Sequence, residues 1–139
     1  MLWLRKSKKG FTLIELMVVV AIIGVLALLG LRLYTGQQEK AKNAIVKANA
    51  GTIQTLIQAE LADTTPALVY AMWLGTMVAD SGIHNPMDGL VQVNKPITSA
   101  TALAGEVWVS FTSDVFNING KNARNTDDVF IPFDLTARK

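Results

Sequence analysis

Cysteine is absent from this chain of 139 residues. Its absence excludes disulfides, thiolate metal sites and a cysteine nucleophile, but it says nothing of compartment, since exported proteins also manage without bridges. Histidine is reduced to His84, which excludes multi-histidine metal centres and leaves little capacity for acid–base catalysis near neutral pH. No nucleophile elbow, phosphate-binding glycine loop, paired-carboxylate arrangement or Asn-x-Ser/Thr acceptor occurs, so enzymatic chemistry is not expected. Charge is scarce, 17% of residues against 50% apolar, and it is unevenly placed. Arg5, Lys6, Lys8 and Lys9 fall in the first ten residues without an acidic neighbour, leaving nine basic and eleven acidic side chains in the other 129. A basic isoelectric point is therefore a property of the first ten residues, and the body lacks the electrostatic footprint of nucleic-acid binding. At this length one compact domain with a real core is the expectation.

What the sequence does have is a long apolar run. Residues 16–31 carry no polar side chain, and residues 11–31 are broken only by Thr12 and Glu15. As a helix this segment spans about 30 Å, the thickness of a hydrocarbon core. Basic residues before it and Arg32 alone just after it place the N-terminus in the cytoplasm. A secretory signal has a shorter apolar region and a small-residue cleavage site, which the sequence around Gly30 and Arg32 does not match. Glu15 does not fit a plain anchor, because a carboxylate inside a bilayer is costly and calls for a partner.

Beyond Arg32 the period stays helical, with Ala41, Ala44, Ile45, Ala48, Thr52, Leu56 and Ala59 forming an apolar stripe that Ile53, Ile57 and Leu61 widen. One helix over residues 12–62, about 75 Å long, is predicted. Thr65 and Pro66 read as N-cap and first position of a second helix that ends at Ser81 and Gly82. A turn-rich connector covers residues 81–89. Apolar spacing then falls to two, predicting strands over 90–93, 107–112, 115–118 and 129–133, with turns at 112–114 and at Asn119-Gly120.

Residues 10–27 read GFTLIELMVVVAIIGVLA. Together with the basic stretch before them they resemble the N-terminus of type IV pilins and pseudopilins: a short leader ending in glycine, a phenylalanine, a glutamate four residues later, then the membrane helix. The resemblance implies an α+β, type IV pilin-like fold, in which a long N-terminal helix spans the membrane with its first half and packs its C-terminal half on a small antiparallel sheet. It divides the chain into a cleaved leader (1–10), a transmembrane and filament-core helix (11–35) and a globular head (36–139). It makes Gly10 the residue before the prepilin peptidase cut and Phe11 the new, N-methylated N-terminus. Glu15 would then meet the N-terminal amine of a neighbouring subunit, so that Phe11 and Glu15 carry assembly. A carboxylate that finds its cation only on assembly would favour correct register. Arg32 stands where many members carry proline, so Gly24, Gly30 and Gly36 would supply any flexibility. The disulfide that staples many pilins cannot form, leaving strand pairing and Phe130, Ile131 and Phe133 to hold the C-terminal segment. The short leader and Phe11 resemble the a subclass, the Asn85-Pro86 turn the b subclass.

The implied function is a structural subunit of a type IV pilus, a surface filament for adhesion, aggregation or twitching motility. The alternatives are a pseudopilin of a type II secretion system and a minor pilin that binds DNA. The expected partners are other copies of the chain in a helical filament, the prepilin peptidase, the inner-membrane assembly machinery and, before assembly, membrane lipid. The expected localisation is single-pass in the inner membrane, then the extracellular filament. Residues 11–31 cannot sit in water, and only the same helix of other subunits could cover them outside the bilayer. Lys40, Lys42 and Lys47 read as a solvated face or as partners of acidic residues on a neighbour. His84 reads as an exposed or capping turn residue, and Met72, Trp73, Met77, Trp108, Phe111 and Phe116 as packing. No cofactor is expected. Asn125, Asp127 and Asp128 read as a polar turn, with calcium at Asp127 and Asp128 as the alternative, because a type II major pseudopilin binds calcium in its C-terminal loop and oxygen-rich loops suit that ion.

Overall fold

The computed structural model describes residues 10–98, 100–124 and 133–136. It divides into two units, residues 1–37 and 38–139. Helix α1 runs over Leu13–Asp63, within a residue of the span predicted from the apolar period. Its sequence holds no proline and is rich in Leu and Ala, which keep helix propensity high despite four interior glycines. Pro66 stops it by forcing Thr65 into extended backbone, φ −81° and ψ 151°. The same proline opens helix α2, Pro66–Met72. Thr65 takes the N-cap position, yet its side chain makes no capping bond.

α2 passes through a widened π-helical turn, Trp73–Met77, into the short helix α3, Val78–Asp80. Gly75 is the kink, with φ −88° and ψ −106°, and beside it Lys95 Nζ donates to the carbonyl of Leu74 at 2.9 Å. Gly82, with φ +66°, ends the element in the left-handed conformation that favours glycine.

Strands β1 (Val107–Thr112), β2 (Val115–Gly120) and β3 (Phe133–Thr136) form an antiparallel sheet in the order β1-β2-β3. Val109 faces Ile118 across the first pair, and Ile118 faces Phe133 across the second. Ser113 and Asp114, with φ of 52° and 64°, close the β1–β2 hairpin, the pair of positive φ angles that matches the twist of the flanking strands. The core of the larger unit is α1 against this sheet and α2: Ala50, Ile53 and Ile57 meet Val69 and Trp73 from one side and Val107, Val109, Phe116 and Ile118 from the other. The rings of Tyr70 and Phe111 stack at its margin, 5.3 Å apart, and Phe111 meets the buried Phe116 ring at a tilt, 4.7 Å away. The arrangement is α+β, a long apolar-headed helix whose C-terminal half lies on a small antiparallel sheet.

Three expectations are corrected. The buried face of α1 is Val46, Ala50, Ile53 and Ile57; of the predicted stripe, Ala41, Ala44, Ile45, Ala48, Thr52 and Ala59 are exposed and Leu56 is half-buried. Branched side chains fill the space above a sheet, while alanine is indifferent to burial and supports helix on either face. Residues 90–93 form no strand. Only Val91 pairs, in a single bridge with His84, because the side chain of Gln92 takes the place of a backbone ladder. Its Nε2 donates to the Val107 carbonyl at 2.8 Å and its Oε1 accepts the Val107 amide at 2.9 Å. Asn119-Gly120 is not a turn but the end of β2, paired with Trp108 and Val107; glycine is required there because a β-carbon would run into the Val46 side chain of α1. The last described strand is Phe133–Thr136, which takes in the final residue of the predicted 129–133; residues 129–132, with Phe130 and Ile131, lie outside the described residues.

Candidate assembly site at the helix N-terminus

Two polar side chains organise the head of α1. Thr12 precedes the first helical residue, and its carbonyl accepts the amide of Leu16 at 3.2 Å. Its amide and its Oγ1 both donate to Oε2 of Glu15 at 2.9 Å, while Oγ1 accepts the amide of Glu15 at 3.3 Å. This is the reciprocal pairing of a capping box, and it satisfies amides that have no intrahelical partner. The carboxylate also lies at the positive end of the helix dipole. Thr12 holds the Glu15 carboxylate by hydrogen bonds, and no cation within the described residues reaches it. Thr12 is the residue that reading the sequence missed, and its signal was present: threonine, then glutamate three positions later, ahead of an apolar run.

Gly10 and Phe11 lie immediately outside this cap in exposed, non-helical backbone, the form of chain a peptidase can engage. From residue 10 through residue 38 every side chain is exposed, including Leu13, Ile14, Leu16 and Leu28. The most apolar 18-residue stretch of α1 has a mean hydropathy of 2.8 with none of it buried. A helix apolar on all sides requires lipid or other helices around it, and this one is long and apolar enough to cross a membrane.

The remaining candidates take structural or exposed places. His84 is exposed and works through its backbone, accepting Asn49 Nδ2 at 2.8 Å and bridging Val91. Trp73 and Phe116 are fully buried, Trp108 and Met77 nearly so, and Phe111 is half-buried, whereas Met72 is 38% exposed and so is not core. Lys40 is exposed and Lys42 half-buried. Asn125, Asp127 and Asp128 lie outside the described residues. Among the described residues no three acidic or histidine side chains gather closely enough to hold a metal ion.

Residues 5–31 match the family model of the prokaryotic N-terminal methylation motif. Over 137 residues the chain is 35% identical to the type IV major fimbrial protein FimA of Dichelobacter nodosus, covering 96% of this chain and 83% of that protein. The chain belongs to the type IV pilin family. A probable minor fimbrial protein of the same organism is 34% identical over 110 residues, 70% of this pilin and 69% of that protein. The fimbrial protein EcpB of Eikenella corrodens is 47% identical over 56 residues, 40% of the chain; the match spans about a third of EcpB, 35%. No solved structure matches at a significant level. The capping box therefore opens the helix of a pilin, within the matched motif.

Proposed function

We propose that the chain is a structural subunit of a type IV pilus, anchored in the membrane by the first half of α1 and then polymerised through that helix into an extracellular filament. The observation that carries this reading is the uniformly exposed apolar head of α1 opened by the Thr12–Glu15 cap; near full-length similarity to a major fimbrial protein supports it. In this reading prepilin peptidase cuts between Gly10 and Phe11, Phe11 is N-methylated, and residues 11–35 cross the inner membrane once with the N-terminus cytoplasmic. Residues 36–139 form the exposed head. Glu15 exchanges its hydrogen bonds with Thr12 for the amine of a neighbouring Phe11, a cation that neutralises its charge. Similarity to a probable minor fimbrial protein favours, as a second reading, a low-abundance subunit of the same filament.

Mass spectrometry of sheared filaments tests the processing and the incorporation of the chain. The expected subunit begins at methylated Phe11 and is the most abundant protein of the fibre, and deletion of its gene abolishes the fibres. A mature chain that keeps Arg5, or fibres that lack the chain altogether, would overturn the proposal, and presence at trace level would assign the minor role.

A further inference from the structure

Between the C-terminal half of α1 and the turns of α2 and α3 lies an open cavity of about 160 Å³. Leu56, Met72 and Met77 give it an apolar floor, and Glu60 and Asp80 put two carboxylates on its rim, with no basic residue in the lining. Among the described residues neither carboxylate has a hydrogen-bond or ion-pair partner. An apolar slot ending in two carboxylates matches a side chain that is itself an aliphatic stem with a cationic tip, which buries its methylenes and presents its charge.

Among the described residues of the same unit the cations are mostly engaged. Arg124 pairs with Glu39 at 2.7 Å, Lys95 donates to Leu74, Lys47 and Lys121 have partners, and Lys42 is half-buried. Lys40 is exposed and, among the described residues, unpaired. It lies on α1 twenty residues before Glu60, which is about 30 Å along the axis and about 200° around it. The two cannot meet within one chain. They do meet between two parallel copies offset by about that rise, because the face carrying Lys40 looks away from the face carrying Glu60. A contact between opposite faces is heterologous, so it propagates into an open polymer rather than closing a dimer. Lys42, about five turns before Glu60, lies on Glu60's own face and does not have this geometry.

We propose that the cavity receives the Lys40 side chain of a second copy of the chain, with Glu60 and Asp80 accepting its ammonium, as a contact that sets the axial register of parallel subunits. The inference rests on the proposed polymerisation and names a pair of surfaces that polymerisation brings together.

Carbodiimide couples an amine to a carboxylate only where they touch, so wild-type filaments treated with it and analysed by peptide mass spectrometry should carry an isopeptide from Lys40 to Glu60 or Asp80. Coupling of Lys40 elsewhere, of Lys42 to this cavity, or none at either carboxylate overturns the proposal while the filament reading stands. An absence of wild-type filaments would instead be a failure of the polymerisation reading. The second arm is charge reversal: Glu60→Lys should cut filament yield about tenfold or more through like-charge contact, and Lys40→Glu with Glu60→Lys should recover most of it. A double variant no better than the single one overturns the proposal.

Discussion

Replacing Gly120 by alanine should expose how closely α1 approaches the sheet. The new β-carbon would overlap Val46 Cγ1, with the Val46 carbonyl oxygen and Cβ at 3.5 and 3.6 Å behind it. Val46 is fully buried and β-branched on a helix, so its methyl has no second rotamer to retreat into, and α1 itself must shift. Overpacking of this kind costs about 1–3 kcal/mol. In a head of roughly a hundred residues a loss of about 2 kcal/mol lowers the melting temperature by about 10 °C. Val46→Ala alone deletes two methyl groups, worth about 2 kcal/mol with its cavity. If the overlap is the cause, the double variant is not the sum. The added methyl at residue 120 occupies the volume vacated at residue 46, and the pair should lie near about 2 kcal/mol rather than about 4. Thermal unfolding of the full chain in detergent, followed through the buried Trp73 and Trp108, measures all three. Losses that add to within about 0.5 kcal/mol would refute the reasoning.

Under the proposed pairing of Glu15 with a neighbouring Phe11, Glu15→Gln should leave membrane insertion intact and abolish filaments, because that amine would lose its counter-charge. Thr12→Val, which removes only the hydroxyl of the cap, should lower filament yield without abolishing it. Wild-type yield from Glu15→Gln, measured on sheared pili, would show that the charge is dispensable. Gln92→Leu should strip the Val107 amide of its partner and destabilise the head by about 2 kcal/mol; hydrogen exchange at Val107 reports it directly, and unchanged protection would contradict the assigned bond.

The long helix was legible because its evidence is redundant: an unbroken apolar run, a helical period beyond it and a proline just after its end. Its orientation against the sheet was not, since alanines such as Ala44 and Ala48 satisfy the same period from the solvent side. Gln92 inverted a strand pattern, staying buried while Leu90 and Val93 are exposed, because a side-chain amide can imitate a peptide group and an alternation rule cannot see that. Asn119-Gly120 carried the local signature of a hairpin turn, and tertiary contact with Val46 overrode it. At the assembly site, Gly10, Phe11 and Glu15 stand out by type and spacing. Thr12 was hidden because Glu15 drew attention as a charge in lipid rather than as the third residue of a helix.

The pairing of Gln92 with Val107, continued where the Pro96 carbonyl accepts the amide of Val109 at 3.1 Å, has a meaning for the crowd in which such a head would live. A free strand edge offers its unpaired amides and carbonyls to any other strand, and identical chains held side by side are the most dangerous company for it. Here the outer margin of β1 is occupied by residues 92–96, one of them a proline with no amide to offer. Heads brought together by their helices therefore meet side chain to side chain, and cannot add β1 to a neighbour's sheet without first dislodging Gln92.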